Sequence, residues 1–183
     1  EFKKYIEQFE VTQIHAFATS AIRNAKNGNQ FVKDVYQKSG IIVTTIDGDK
    51  EAEFIYAGVL NSFKFPQQNV LVMDIGGGSN EFIIANNKQI FWKGSFNIGA
   101  ARILEKFKFS DPATDEEIKL LNDYLIEQLS ELTVAVNQFK PCELIGSSGA
   151  FDSFIEMIHG ELGGEALLSS KTDYSLDLQH YRL

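Results

Sequence analysis

The chain has 183 residues, of which 44% are hydrophobic, and its formal net charge at pH 7 is -8. This composition is typical of a globular protein, and the negative charge argues against broad nucleic-acid binding, which requires a basic surface. No apolar run approaches the roughly 18 residues that suggest a membrane span, and a single cysteine, Cys142, excludes a disulfide framework. Because no signal peptide is visible, we expect a cytoplasmic protein in which Cys142 packs as a small hydrophobe.

The first third of the chain alternates helical and strand patterns. Apolar residues at helical spacing predict helices near residues 2–9 and 31–36, the second ended by Gly40, and a third that opens at Asp47 and reaches about residue 63. Between them, apolar and β-branched runs predict strands at 13–18 and 41–46, with a turn at 19–20 after the first strand. Pro66 and the polar residues 67–69 indicate a linker.

After this linker the pattern changes to three consecutive strands, predicted at 70–75, 81–85 and 89–96. A helix follows at 100–107. Thr114 and Glu117 then form a capping box that opens one long helix reaching Val136. A strand at 142–146 and a helix over about 150–159 complete the predicted elements, and the polar stretch from Gly160 has only weak periodicity. This order of elements predicts an α/β fold.

The segment with the most chemical information is V-L-V-M-D-I-G-G-G-S at residues 70–79. Its three glycines let the backbone adopt conformations closed to other residues, and several N–H groups can then point into one concavity that binds phosphate oxygens. Asp74 ends the first strand and could hold a divalent cation against that phosphate. Ser79 could add a hydroxyl donor, and Glu81 lies on the same side of the next strand. A ligand-free hairpin turn is the alternative, but it needs at most one or two glycines.

Three further segments carry candidate residues, and each has an ordinary structural alternative. Glu51, in D-G-D-K-E at 47–51, could orient a water toward a terminal phosphate, although acids in the first turn of a helix are common because they complement its dipole. Arg23, in A-T-S-A-I-R at 18–23, could bind an anion through its forked guanidinium or form a surface salt bridge. The turn G-S-S-G at 146–149 could bind phosphate at a helix N-terminus or serve only as a cap.

Taken in this order, the motifs resemble the exopolyphosphatase / guanosine pentaphosphate phosphohydrolase family, within the actin–hexokinase–heat-shock ATPase superfamily. The resemblance covers about residues 10–160. It rests on five runs: A-T-S-A-I-R at 18–23, D-G-D-K-E-A-E-F-I-Y-A-G-V at 47–59, V-L-V-M-D-I-G-G-G-S-N-E-F at 70–82, G-S-F-N-I-G-A-A-R at 94–102 and G-S-S-G-A at 146–150.

The resemblance implies an α/β, actin-like (ribonuclease H-like) fold, with a partial lobe one at residues 1–65 and lobe two at 66–183. It implies that inorganic polyphosphate or guanosine pentaphosphate loses its terminal phosphate to water, with Mg²⁺ as cofactor. By position, Glu51 matches the family's catalytic glutamate, and Asp74 and Glu81 match its metal-associated acids. The phosphate-binding residues that it implies are Arg23, Gly76, Gly77, Gly78, Ser79, Ser147, Ser148 and Gly149.

This sequence departs from the family pattern in two ways. The family usually has S-G-x-E-E-A where this chain has D-G-D-K-E-A, so Asp47 and Lys50 change the charge beside Glu51. The family's first phosphate loop, an Asp-x-Gly-Ser-Asn-Ser type hairpin, and its C-terminal helical domain are missing, and the chain begins without Met. We therefore expect a fragment that is inactive by itself and that forms a homodimer or aggregates through residues 10–46. The alternative function is a non-catalytic module that binds guanosine polyphosphates or assembles as actin-like proteins do.

Overall fold

A computed structural model describes residues 1–62, 64–161 and 174–175 of the chain. The chain divides into two compact units, Glu1–Glu51 and Ala52–Leu183. The lobe boundary that the sequence places after residue 65 stays a prediction. Most of the weakly periodic stretch after Gly160 lies outside the described residues.

The first unit is built around two short parallel strands joined through helices. Helix α1 (Phe2–Gln8) precedes strand β1 (Ala16–Ala18), and helices α2 (Ser20–Arg23) and α3 (Gly28–Ser39) lead to strand β2 (Val43–Thr45). Strands β1 and β2 pair in parallel, with Ala16 opposite Val43. Gly40 ends α3 in the left-handed conformation (φ 75°), where a residue without Cβ has no steric penalty.

Both strands of this unit are shorter than the sequence predicts, and the turn expected at residues 19–20 instead begins helix α2. Helix α4 (Gly48–Ser62) starts at the predicted place and carries the division between the two units, between Glu51 and Ala52. Asp47 precedes the helix, and its Oδ1 accepts a hydrogen bond from the N–H of Lys50 at 2.7 Å. The acid at position 47 is therefore a helix cap.

The second unit contains a four-stranded mixed sheet. Its strands are β3 (Val70–Ile75), β4 (Asn80–Ala85), β5 (Ile90–Phe96) and β6 (Leu144–Ser147), in the spatial order β5-β4-β3-β6. Strands β3, β4 and β5 form antiparallel hairpins, whereas β6 pairs with β3 in parallel. The bounds of β3 agree with the sequence prediction, and the α/β class is confirmed.

After strand β3 the described part of this unit also contains helices α5 (Ala100–Lys106), α6 (Asp115–Gln128), α7 (Ser130–Phe139) and α8 (Gly149–Glu161). The capping box at the start of α6 is present as predicted, with Thr114 and Glu117 bonding each other's backbone N–H groups. The single long helix predicted from Thr114 to Val136 is wrong, because the chain departs from helical geometry at Leu129 (φ -96°, ψ 16°) and splits into α6 and α7. The apolar spacing continues across this break, so periodicity alone does not detect it.

The core of the second unit lies between one face of the sheet and helix α4. Val70 and Val72 of β3 and Ile83 and Ala85 of β4 form that face. The residues packed against it include Ala52, Val59 and Phe65, all buried. On the opposite face a Cβ at Gly146 would overlap the ring of Phe151, so helix α8 packs directly on β6 there.

Cys142 lies just before β6, which is at the edge of the sheet among the described strands. The residue is exposed, so the prediction that it packs as a small hydrophobe is wrong. The strand predicted at 142–146 begins only at Leu144, so Cys142 lies outside it, and the edge position leaves this part of the sheet uncovered. Among the described residues no helix combines the length and apolarity that crossing a bilayer would require.

Candidate functional site

The glycine-rich segment forms the hairpin turn between β3 and β4. The N–H of Gly76 donates to the carbonyl oxygen of Ser79 at 3.0 Å and closes the turn. A Cβ at Gly76 would lie 2.7 Å from that same oxygen. Neither Gly76 nor Gly77 has φ in the left-handed region. The structural reason for a glycine at position 76 is therefore close approach of the backbone, and not the unusual dihedral angles expected from the sequence.

Three successive carbonyls of this turn are bonded to the start of helix α5. The N–H of Ala100 donates to Gly76 O at 2.9 Å, and the N–H of Ala101 donates to Gly77 O at 3.0 Å. The side chain of Arg102 completes the series, because its Nε donates to Gly78 O at 2.6 Å. All three carbonyls are thus held on one side of the turn.

In a planar trans peptide the C=O and N–H groups point in opposite directions. The N–H groups of Gly77, Gly78 and Ser79 belong to the three peptides whose carbonyls face α5, so they point away from α5 together. None of these three N–H groups donates to an acceptor within the described part of the chain. A row of parallel N–H groups without acceptors is an anion-binding arrangement.

Gly99 supports this turn, and sequence reasoning assigned it no role. A Cβ at Gly99 would lie 2.5 Å from the carbonyl of Gly77 and from the nitrogen of Gly78, so only glycine allows α5 to approach the turn. The signal was present in the run at 94–102, where glycine precedes Ala-Ala-Arg at a helix start. The role of Gly99 could not be read from this run, because it depends on a contact with residues more than twenty positions earlier in the chain.

A row of polar residues crosses the sheet at the end of β3 next to the glycine turn. Asp74 pairs with Glu81 on one side and with Ser147 on the other, and Glu81 pairs with Ser95. Paired residues share a face of the sheet. Glu81 is only 2% exposed, and its Oε1 accepts a hydrogen bond from the Ser95 hydroxyl at 2.7 Å.

Asp74 and Glu81 lie opposite one another on neighbouring strands, close enough for their carboxylates to share a cation. Within the described residues no cluster of three or more candidate ligands is found. Mg²⁺ commonly uses one or two carboxylates together with substrate phosphates and water, so this pair of acids fits its requirements.

The second small-residue turn lies where β6 meets α8. Ser148 has a left-handed backbone (φ 75°), and its hydroxyl donates to Ile75 O at 3.3 Å, which links this turn to the end of β3. A Cβ at Gly149 would meet no atom within 4 Å. Because the Ser148 hydroxyl donates its hydrogen bond to Ile75 O, it is not available as a donor to a ligand in this arrangement. The predicted phosphate contacts of this turn stay predictions.

Arg23 and Glu51, which were predicted as separate candidates, lie next to each other in the first unit. Arg23 Nη1 lies 3.1 Å from Glu51 Oε2 and also donates to Ile46 O at 2.8 Å. The two side chains are 21% and 17% exposed. Arg23, at the end of α2, is therefore anchored to the end of β2 and holds the Glu51 carboxylate in one orientation. Its predicted contact with phosphate stays a prediction.

Comparisons with known proteins agree with these motifs. The profile of the Ppx/GppA phosphatase family matches residues 1–172. A bifunctional 3-dehydroquinate synthase/phosphatase of Fusobacterium nucleatum is 40% identical over 72% of this chain, and exopolyphosphatase 1 of Mycobacterium leprae is 27% identical over 86% of it. The crystal structure of an exopolyphosphatase from Cytophaga hutchinsonii superposes on 99% of the chain with a TM-score of 0.94 and 35% identity.

The matched region is only part of each of these proteins. It amounts to 21% of the Fusobacterium protein, 47% of the Mycobacterium protein and 58% of the Cytophaga chain. Over that region the structural match confirms the α/β fold predicted from the sequence and shows that it is the fold of an exopolyphosphatase. Because the family profile matches residues 1–172, the chain belongs to the Ppx/GppA phosphatase family.

Proposed function

We propose that this protein is a phosphohydrolase that releases the terminal phosphate of inorganic polyphosphate. The observation that carries the proposal is the row of three N–H groups at Gly77, Gly78 and Ser79, which point away from α5 and have no acceptor among the described residues. The similarity to proteins named exopolyphosphatase supports the substrate class. Guanosine pentaphosphate also ends in a phosphoanhydride, so it is the second substrate of the same proposal.

The glycine turn would hold the phosphate group through these N–H donors, which suit the distributed negative charge of a phosphoryl group. Glu51 would orient the water that attacks the terminal phosphorus. Phosphoryl transfer passes through a loose transition state, so positioning of the water matters more than strong basicity. Arg23 would keep the Glu51 carboxylate in place through the 3.1 Å ion pair.

Asp74 and Glu81 would hold Mg²⁺, because they are the two carboxylates that the sheet register places opposite one another. When bound, Mg²⁺ would neutralise part of the phosphate charge. The hydroxyl of Ser95 donates to Glu81 Oε1 at 2.7 Å and fixes that carboxylate oxygen. The turn formed by Ser147, Ser148 and Gly149 is proposed to contact the next phosphate group along the polyphosphate substrate.

The test is phosphate release from tripolyphosphate and from guanosine pentaphosphate with Mg²⁺, using protein expressed from its complete reading frame. We expect Glu51→Gln to lower kcat on the order of a hundredfold or more while tripolyphosphate still binds. Asp49→Asn is the matched control, because Asp49 lies in the same first turn of α4. Equal turnover by Glu51→Gln and unaltered protein would refute the role of Glu51. Binding without any turnover by the unaltered protein would instead support the non-catalytic alternative.

A further inference from the structure

The bonds that hold the glycine turn against α5 are of two kinds. Those from Ala100 and Ala101 come from backbone N–H groups, so any residue other than proline at these positions supplies them. The third comes from the side chain of Arg102 and depends on the identity of that residue. At 2.6 Å it is a short, charge-assisted hydrogen bond.

The peptide that Arg102 holds joins Gly78 to Ser79. Gly78 has no Cβ, so this peptide has few steric restraints on its rotation. With the Gly78 carbonyl fixed toward Arg102, the Ser79 N–H points to the opposite side, in line with those of Gly77 and Gly78. Without that bond the third N–H of the row would not be held in line with the other two.

We infer that Arg102 is a positioning residue, which aligns the Ser79 N–H for a bound phosphate by holding the Gly78 carbonyl from behind. The inference rests on the proposed function, because it assigns the glycine turn to phosphate. It differs from a direct contact between Arg102 and phosphate, since Arg102 acts through its hydrogen bond to the Gly78 carbonyl and its charge does not touch the ligand. Preorganised donors of this kind need no rearrangement when the ligand charge arrives.

Two substitutions separate the donor from the charge. Arg102→Gln places an amide nitrogen at the same distance along the side chain as Nε, so it keeps a donor and loses the charge. Arg102→Met has a methyl group at that place and loses both. Lys106→Gln controls for charge, because it removes one positive charge from the same helix, where Lys106 lies over the ring of Tyr124.

The measurements are calorimetric titration with tripolyphosphate, the thermal midpoint, and the ¹⁵N–¹H resonance of Ser79, on protein expressed from its complete reading frame. We expect Arg102→Met to weaken binding about tenfold or more, with a shifted Ser79 resonance, and Arg102→Gln to stay within about threefold of the unaltered protein. Lys106→Gln should bind as the unaltered protein does.

Equal weakening by the glutamine and methionine variants, at unchanged thermal midpoint, would overturn the inference, because the charge would then act on the ligand directly. Unweakened binding by Arg102→Met would also overturn it while leaving the phosphate site intact. If Arg102→Met does not fold, Arg102→Leu replaces it as the variant without a donor, and the same contrast with Arg102→Gln applies. Absence of tripolyphosphate binding by the unaltered protein would refute the proposed function, and this inference with it.

Discussion

At the scale of single residues, the ion pair between Arg23 and Glu51 gives the candidate carboxylate a fixed orientation. Arg23 Nη1 is shared between Glu51 Oε2 and the carbonyl of Ile46, so the guanidinium is tied to the end of β2 as well as to the acid. Both side chains remain partly accessible to solvent. The pair therefore acts through geometry, since solvent weakens its Coulomb energy.

Arg23→Gln tests whether this arginine positions Glu51 or binds substrate. We expect kcat for phosphate release to fall roughly tenfold while the Kd for tripolyphosphate stays unchanged, because the carboxylate loses its partner and the glycine turn keeps its donors. Steady-state kinetics and calorimetry on the same preparation measure the two effects. Lys26→Gln, an exposed residue beyond α2, is the control. A weakened Kd with unchanged kcat would assign Arg23 to phosphate binding instead.

Gly77 offers a test of the anion site that spares the fold. A Cβ at this position meets only the Cβ of Ala101, at 4.0 Å, which is an ordinary contact. Gly77→Val should therefore change the thermal midpoint little but weaken tripolyphosphate binding, because a β-branched residue restricts the backbone dihedral angles that keep the three N–H groups in one row. Calorimetric titration measures tripolyphosphate binding, and circular dichroism measures the thermal midpoint.

Gly58→Ala is the matched control for this substitution, because a Cβ at Gly58 meets no atom within 4 Å and the residue lies inside helix α4. It should raise helix stability by up to about 1 kcal/mol and leave binding unchanged. Undiminished binding by Gly77→Val would contradict the assignment of the glycine turn to phosphate.

At the scale of the elements, strand β4 and helix α6 are stabilised in different ways. All six residues of β4 are buried, so this strand carries both the apolar core and the acid Glu81. Helix α6 has no buried residue, and its start is fixed by local hydrogen bonds. Stability of α6 should accordingly respond to its cap more than to its packing.

Thr114→Ala should cost about 1 kcal/mol of stability, because it removes the acceptor for the N–H of Glu117. Denaturant unfolding measures the loss. Thr133→Ala is the control, since the Thr133 hydroxyl only donates back to Leu129 O inside helix α7. An equal loss in both variants would mean that the capping box contributes nothing specific.

The same box predicts a pH dependence. Hydrogen bonds from the backbone N–H of Thr114, and then from Ser110, lower the pKa of Glu117 from its ordinary value of 4.5. A lowered folded-state pKa means that its stabilisation is fully present above pH 4.5 and is lost as the pH falls through the lower folded value. The difference in thermal midpoint between unaltered protein and Glu117→Gln should therefore shrink on acidification below pH 4.5. A difference that stays constant on acidification would contradict this origin.

At the scale of the whole molecule, the first unit exposes many large apolar side chains. Ile42, beside β2, is 73% exposed, and Phe17, in β1, is 47% exposed. Exposed apolar groups beside a two-stranded sheet favour association with further chains. The homodimer or aggregation expected through residues 10–46 stays a prediction with this physical basis.

Ile42→Lys should reduce self-association of the 183-residue chain, measured by sedimentation velocity over a range of concentrations. Leu120→Lys is the control, because Leu120 is 61% exposed on helix α6 of the second unit. We expect the control to associate as the unaltered chain does. If the unaltered chain is a monomer, the predicted association does not occur. If Leu120→Lys reduces association more than Ile42→Lys does, the association involves the second unit instead.

Several features follow from the sequence by itself, because short-range patterns determine them. The apolar, β-branched run fixes β3 at Val70–Ile75, and the spacing of Thr114 and Glu117 fixes the start of α6. The order of the five motifs identifies the family, since each motif is a local string. The glycine-rich turn between β3 and β4 is likewise predicted from the local sequence.

Other features were decided only by the tertiary structure, because they depend on contacts between distant segments. The register of β3 and β4 places Asp74 opposite Glu81, and the fold of the first unit brings Arg23 to Glu51 across 28 residues. Local spacing cannot show that α5 approaches the glycine turn closely enough for Arg102 to donate a hydrogen bond to the carbonyl oxygen of Gly78, 24 residues earlier. The direction of the three N–H groups, on which the proposed phosphate site depends, is set by that packing.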